Sequence, residues 1–447
     1  MSKKISRKDF IKTSTVAGVG LSVLPFNIVK GKDKSKVRLG FIGVGGRGRS
    51  HLAGALARDD ISVRAICDIN KENAAKAQKM VRDAGMDEPE LYTRGETDFR
   101  RMLKRDDLDG VFIATPWLWH VPMAVAAMEA GVYTGLEVPI ATTVDGCWEL
   151  VEASERTGVP CMMLENVCYR RDVMAILNMV RKGMFGEMTH ARCGYQHNLL
   201  PVLLDENGNF GPGTVGESEW RTYHHINRNG DLYPTHGIGP VAHWLDINKG
   251  NRFLKISSHA TKAEGLHKRI VELGGINHPN ASIEFKKGDV VTSTITTARD
   301  ETIIVTHNTS SVRPYSLGFR CQGTKGLWQV DGNTIYLDGV SEKHDQWEPF
   351  EPYQEKYDHP LWKKYHDEAV GSGHGGMDFF VRNAFIEAIK RQVNTPMDVY
   401  DGAAWSVIGP LSEASIEQGG ATVSFPDFTD GRWMKREPDF ALESSEF

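Results

Sequence analysis

Between residue 36 and about residue 164, short and wholly apolar runs alternate with stretches of helical period. The runs at 37–42, 63–67, 110–114, 132–137 and 159–164 are too short for buried helices. They also lack the alternation of a half-exposed strand, so they read as strands covered on both faces. Between them, 49–58, 71–84, 98–104, 122–130 and 144–156 carry helical patterns, and Gly131 ends one of these. Such alternation predicts βαβ units and a doubly wound parallel sheet, with Tyr92 in a loop.

Past about residue 170 the spacing changes. After a helix through residue 181, alternating runs at 188–197, 253–260, 281–285, 290–297 and 302–307 predict a mostly antiparallel open sheet, hence a second, α+β domain. Two long segments, 199–233 and 338–373, are rich in Gly, Pro, Trp and His and read as functional loops. Residues 377–391 gather Phe379, Phe380, Ala384, Phe385, Ala388 and Ile389 on one helical face, and 399–417 make a final helical stretch; both read as scaffold. The expected organisation is a leader and linker at 1–33, a nucleotide-binding domain at 34–168, a substrate and oligomerisation domain at 169–430 and a tail at 431–447.

Gly43-Val44-Gly45-Gly46-Arg47-Gly48 stands where the first strand turns into a helix, the context that a G-x-G-x-x-G dinucleotide fingerprint requires. Gly43 would make the tight turn, Gly45 would let backbone approach a pyrophosphate, and Gly48 would permit close helix packing. Helix N–H groups would face the anion, with Gly46 and Arg47 against it. Asp68, at the end of the second strand, would accept hydrogen bonds from ribose hydroxyls and repel a 2′-phosphate, which predicts NAD rather than NADP. Gly43, Asp68, Thr115, Glu137 and Glu165 all fall at carboxyl ends of predicted strands, where open parallel sheets bind ligands.

A length of 447 residues allows two domains with substantial cores, and 40% hydrophobic with 25% charged residues excludes large-scale disorder. The net charge of −5 argues against a nucleic-acid binder. Six scattered cysteines have no metal-ligand spacing and read as buried thiols, although the sequence leaves one disulfide open; the histidines form no metal set, so no metal is expected. Ser6-Arg7-Lys8-Asp9-Phe10-Ile11-Lys12 precedes a weakly apolar run, 13–24, too short to span a membrane. It resembles a twin-arginine export leader with Lys8 in the second arginine's place, which predicts a periplasmic protein without stable membrane insertion, or a cytoplasmic one if the leader does not function.

With the fingerprint, Asp68, Thr115-Pro116 and Gly135-Leu136-Glu137-Val138-Pro139 in place, the chain resembles the Gfo/Idh/MocA group of sugar-handling, NAD(P)-dependent proteins over nearly its whole length. Trp117-Leu118-Trp119-His120, Gly194-Tyr195-Gln196-His197 and Tyr233-Pro234-Thr235-His236-Gly237 further resemble glycoside hydrolase family 109, the NAD-dependent α-N-acetylgalactosaminidases. Two departures separate it from dehydrogenases of the group: Val138 stands where they carry a proton-transferring lysine, and 233–240 lacks their Asp-x-x-x-His pair. The resemblance implies a Rossmann domain followed by the α+β domain. It implies hydrolysis through transient oxidation at C3, loss of the C2 proton, elimination at C1 and water addition, with tightly bound NAD recycled and no net redox change. The rival readings are a net NAD-dependent sugar or cyclitol dehydrogenase and a non-catalytic sugar- or dinucleotide-sensing protein.

His236 is the first candidate for proton transfer, on a Gly- and Pro-punctuated loop entering a helix at 241–248, although a histidine satisfied at a helix start is the plainer alternative. Tyr233 lies beside it. Tyr195 and His197, two apart on a predicted strand, would face one side, with core packing the alternative for Tyr195. The resemblance adds Arg221, Pro234, Thr235 and Tyr315 as substrate contacts. On the cofactor side it implies Thr115, Trp117, Leu118, Trp119, His120, Glu137, Val138 and Asn166. Trp117 and His120 would flank the nicotinamide ribose or simply pack at a helix start, Glu137 would bond ribose or nicotinamide, and Asn166 the carboxamide. Asp378, after His374-Gly375-Gly376-Met377, reads as a helix cap or first-turn acid. The expected partner is a small glycoside or glycan terminus, and family habit implies a homo-oligomer built on the second sheet.

Overall fold

The computed structural model describes residues 36–442. Six strands, β1 (Val37–Ile42), β2 (Ile61–Cys67), β3 (Glu90–Tyr92), β4 (Gly110–Ile113), β5 (Tyr133–Leu136) and β6 (Cys161–Met163), form a parallel sheet in the order β3-β2-β1-β4-β5-β6. The order reverses between β1 and β4, which makes the carboxyl end of β1 the topological switch point where such sheets bind ligands. Leu39 and Phe41 on one face of β1 and Gly40 and Ile42 on the other are all buried, as a strand covered on both faces requires. Tyr92, expected in a loop, lies in β3, which pairs through only three residues.

The second sheet has nine strands: β7 (Met188–Gln196), β8 (Phe253–Ala260), β9 (Val290–Thr297), β10 (Thr302–Asn308), β11 (Arg320–Gly323), β12 (Gly326–Gln329), β13 (Thr334–Leu337), β14 (Glu348–Pro349) and β15 (Val423–Ser424). They run in the order β14-β13-β12-β11-β7-β10-β9-β8-β15, antiparallel throughout except for the parallel pair β7 and β10. Helix Thr235–Trp244 packs on β7 and helix Ile408–Glu417 on β8. Helix Met377–Arg391 returns to the first sheet. Its Phe385 ring meets Phe112 of β4 edge-on at 4.9 Å, and Ile389 fills the space beside Gly110.

Several expectations are corrected. Residues 281–285 do not form a strand: His278 caps a 3-10 turn, Pro279–Ser282, that takes up the first two of them. The segments 199–233 and 338–373 are not open loops, since they hold helices Thr222–Asn227, Glu351–Tyr357 and Pro360–Ala369. The stretch 399–417 divides at Val407 into helices Val399–Ser406 and Ile408–Glu417, because Pro410 cannot donate to the Ser406 carbonyl. Within the described part of the 431–447 segment, Phe440 stacks on His243 at 3.9 Å, and Arg181 donates to the carbonyls of Phe440 and Ala441.

The helix expected at 241–248 instead spans Thr235–Trp244, with Gly237, Gly239 and Pro240 inside it. Packing overrides propensity here. A Cβ on Gly237 would stand 2.6 Å from the Gly194 backbone nitrogen, and one on Gly194 would stand 2.0 Å from the Thr306 carbonyl oxygen. The missing side chain at Gly237 lets the helix reach the β7 backbone, which puts His236 next to Tyr195, while that at Gly194 makes room for β10. All six cysteines are buried free thiols. Among the described residues no helix is long and apolar enough to cross a membrane, and the arginine-containing leader motif lies outside them.

Gly237→Ala is expected to lower stability by about 1–3 kcal/mol through overpacking. Urea unfolding of the two proteins measures it, and an unchanged midpoint would contradict the close approach.

Candidate functional site

The loop after β1 is built for an anionic ligand. Gly43 has φ +79°, and a Cβ there would lie 2.7 Å from the Ala114 carbonyl oxygen; at Gly48 a Cβ would lie 1.9 Å from that of Gly43. Side chains are therefore excluded at both. Above Gly45 and Gly46, by contrast, nothing lies within 4 Å of an added Cβ. The result is an open floor at the start of helix Gly46–Ala55, where free N–H groups favour phosphate. Asp68 is anchored by the Val44 N–H on Oδ2 and the Asn70 N–H on Oδ1, each at 2.8 Å. A carboxylate so held keeps lone pairs for ribose hydroxyls, so the loop and Asp68 together fit a dinucleotide.

The Arg47 side chain turns inward. Its Nε donates to Glu137 Oε1 at 2.5 Å and its Nη1 to Asp378 Oδ2 at 2.8 Å. Glu137 Oε1 also lies 2.6 Å from His51 Nε2. Burial works against the Glu137 charge, but Arg47 and His51 outweigh it and hold the carboxyl far below its usual range. Asn166 donates through Nδ2 to Asp378 Oδ1 at 2.7 Å, while its own buried Oδ1 has no partner among the described residues. That orphaned oxygen is an acceptor suited to a ligand amide.

The segment after β4 divides. Trp117 is buried and stacks on Tyr233 at 5.7 Å. Leu118 is 69% exposed, and Trp119 packs edge-on against Phe99. His120 is engaged by backbone carbonyls at the helix start. It is buried, with Nδ1 2.8 Å from the Pro139 carbonyl oxygen and Nε2 2.8 Å from that of Thr115, so it ties two strand ends together. Thr115 Oγ1 meets Met123 Sδ, and Val138 is buried, presenting no ammonium.

On the second sheet, Tyr195 and His197 do share a side: the phenol oxygen lies 3.1 Å from His197 Nδ1. The Tyr195 ring centroid is 4.9 Å from Tyr233, 5.3 Å from His236 and 6.4 Å from Tyr315. The Arg221 guanidinium lies over both Trp117 and Tyr233, at 4.9 and 4.8 Å, and pairs with Glu217. His236 is in the first turn of its helix, with Nδ1 2.6 Å from Oε1 of the fully buried Glu165. Pro234 and Thr235 are buried behind it.

Residues 37–165 match the model of the oxidoreductase family, NAD-binding Rossmann fold, and residues 169–435 match the glycosyl hydrolase 109 C-terminal domain. The chain belongs to glycosyl hydrolase family 109. It is 49% identical to an α-N-acetylgalactosaminidase of Tannerella forsythia, over 98% of this chain and 99% of the relative. To one of Shewanella oneidensis it is 40% identical, over 90% and 87%. Among solved structures it shares its fold with an NAD-binding oxidoreductase from Klebsiella pneumoniae (TM-score 0.67, 18% identity, 87% of this chain and 99% of that one). It shares it likewise with levoglucosan dehydrogenase in complex with NADH and levoglucosan (TM-score 0.65, 21% identity, 88% and 100%).

One group of this family 109 protein reads in the sequence only as a helix entry. His374 sits at φ +44° among Gly373, Gly375 and Gly376, all with positive φ, and its side chain is 59% exposed. Its Nδ1 lies 2.8 Å from Asp378 Oδ2. That hydrogen bond raises the imidazole above its ordinary range. Asp378 is thus far more than a first-turn acid: it receives His374, Arg47 and Asn166 together. The available signal was a histidine set in a glycine run four residues before an acid at a helix start. His197 moves the other way, lowered by burial and by Arg221 and His236. Burial raises the Tyr195 phenol, which therefore keeps its proton.

His224, whose ring is 4.9 Å from Trp117, is lowered to about 4 by burial and by Arg228 and Arg221. An unfolded imidazole near 6.5 binds protons that this one refuses, so the stability it contributes is complete above about pH 6.5 and is lost as pH falls toward 4. His224→Gln is expected to remove part of that loss, up to about 3 kcal/mol. Urea unfolding at neutral and mildly acidic pH reads it, and an equal acid loss in both proteins would refute the assignment.

Proposed function

We propose that this protein hydrolyses terminal α-linked N-acetylgalactosamine using NAD that stays bound and returns to its starting state each turnover. The names of its relatives support the substrate. The observation that carries the chemistry is a pair of carboxylate-backed imidazoles, His236 with Glu165 and His374 with Asp378. Their carboxylates are linked: Glu165 precedes Asn166, which donates to Asp378. A net dehydrogenase would need one proton acceptor, at the oxidised hydroxyl, whereas transient oxidation followed by elimination and re-addition needs two groups more, one at C2 and one at the glycosidic oxygen.

When bound, NAD supplies the oxidant for the C3 hydroxyl and regains its form before product leaves. The chain supplies the rest. Glu165 fixes His236 with Nδ1 protonated, which leaves Nε2 as the base for the C2 proton, in the manner of a carboxylate-oriented histidine. His374, on the exposed glycine turn, donates to the departing oxygen and later takes a proton from water. Tyr195, whose phenol meets His197 Nδ1, takes the C3 hydroxyl proton as it passes its own to the neutral His197. It stays protonated throughout and reverses the transfer when C3 is reduced, with Tyr315 beside it. Trp117, Tyr233 and Arg221 wall off water and position the ring. Export with the dinucleotide already in place belongs to the same reading, since a recycled cofactor need not be replenished.

Purified protein without added cofactor should release the chromophore of a nitrophenyl α-N-acetylgalactosaminide in D₂O and place deuterium at C2 of the sugar. Release without exchange at C2 would sink the elimination route, and accumulation of NADH would favour a net dehydrogenase. His236→Ala should lose roughly 10²–10⁴ in kcat while retaining dinucleotide. His374→Gln should lose far more on an alkyl glycoside, whose leaving group needs a proton, than on a nitrophenyl one. Equal losses on the two would remove His374 as the acid.

A further inference from the structure

Arg47 Nη1 and His374 Nδ1 contact the same oxygen, Asp378 Oδ2, each at 2.8 Å. The other oxygen, Oδ1, is occupied by Asn166 Nδ2. We propose that Arg47, by sharing Asp378 Oδ2 with His374, is a positioning residue that governs how firmly this histidine holds its proton, so that the dinucleotide loop helps set the leaving-group acid. The importance of the coupling for catalysis rests on the reading of His374 given above; the coupling itself does not.

The argument is electrostatic and geometric. The Asp378 side chain is 1% exposed, so water does not screen what its carboxylate gives to either donor. A guanidinium keeps its charge at any pH the protein survives, which makes Arg47 the fixed partner and His374 the variable one. Arg47 acts twice in one direction. It draws on the oxygen that stabilises the imidazolium, and its own positive charge repels that imidazolium. Glu137 tempers this, because it takes Arg47 Nε and brings a second negative charge nearby.

The other charged groups around His374 are largely balanced. Arg170, Arg171 and Asp172 line the same pocket as His374 and Gly375. Arg170 is paired with Asp172, and Arg171 with Asp358. His51, on the helix that carries Arg47, is engaged by Glu137 and held neutral chiefly by burial. Arg382, one helical turn beyond Asp378, is buried with Nε and Nη1 unpartnered among the described residues. It adds a second cation acting on Asp378 from the helix's own side. Arg47 remains the cation in direct contact with the oxygen that His374 uses.

Histidine-ring NMR of the full-length, dinucleotide-loaded protein tests this, with the His374 signal assigned by its loss in His374→Gln. In Arg47→Gln the His374 titration midpoint should move to higher pH. Arg47→Lys, which keeps the charge, should leave it near the wild-type value. Asp378→Asn, which leaves Arg47 in place without the carboxylate, should move it to lower pH. An unchanged or lowered midpoint in Arg47→Gln overturns the proposal, as does an upward shift in Arg47→Lys equal to that of the glutamine variant. If Arg47→Gln does not fold, an unchanged midpoint in Asp378→Asn overturns it instead. Turnover separates this from the functional reading. A normally active His374→Gln would remove the acid role and leave the coupling standing, whereas an inactive one beside an unmoved midpoint in Arg47→Gln would do the reverse.

Discussion

The positive charge of Arg47 is divided between Glu137 and Asp378, and each of those carboxylates holds a second donor, His51 in one case and His374 in the other. Three distant segments meet there: the turn after β1, the end of β5 and the first turn of helix Met377–Arg391. Removing one member of such a buried set strands a charge where water cannot reach it, which typically costs about 3–5 kcal/mol. The dinucleotide loop and the glycine turn carrying His374 are therefore held in one relative position by electrostatics as well as by apolar packing. Phe385 against Phe112 and Ile389 beside Gly110 supply the apolar part of the same contact further along the helix.

A second constraint comes from backbone proximity. Gly48 brings helix Gly46–Ala55 against the Gly43 carbonyl at the end of β1, and Gly237 brings helix Thr235–Trp244 against the Gly194 backbone of β7. The two helix glycines do the same physical job in the two domains, removing side chains where a helix start must lie against a strand. One brings backbone N–H groups to the dinucleotide floor, and the other brings His236 to within 5.3 Å of the Tyr195 ring. Between them the rings of Trp117, Tyr233 and Tyr195, with Arg221 across the first two, form a cation-covered aromatic wall.

The parallel sheet was legible because strands covered on both faces must be continuous apolar runs, and turns of glycine and proline mark their ends. Strands β11 to β13 were not, since four residues are too few to show alternation. Propensity misplaced the helix of His236, whose glycines serve close packing rather than disorder. Arg221 and Tyr315 were reached only through resemblance, and His120, expected at the ribose, has both ring nitrogens committed to carbonyl groups. The group around Asp378 was the hardest to foresee. Arg47 and Asp378 lie 331 residues apart, and no local spacing reports which distant charge will be buried beside another.

The same distance explains how a dehydrogenase-like frame can carry hydrolysis. The position after Glu137 that carries lysine in the dehydrogenases this chain resembles is filled by the buried Val138, which leaves the strand end apolar. Proton transfer has no donor there, and on the proposed reading it falls to His236 and His374. His236 comes from the helix packed on β7, and His374 from a turn near the end of the chain, each leaning on a buried carboxylate that the Rossmann side helps to fix. Glu165 ends the first domain's last strand, and Asp378 is locked by Arg47 from its first loop. Each imidazole therefore depends on the domain that holds the dinucleotide for its orientation. A change that loosened that domain would disturb proton transfer as directly as it would disturb cofactor binding.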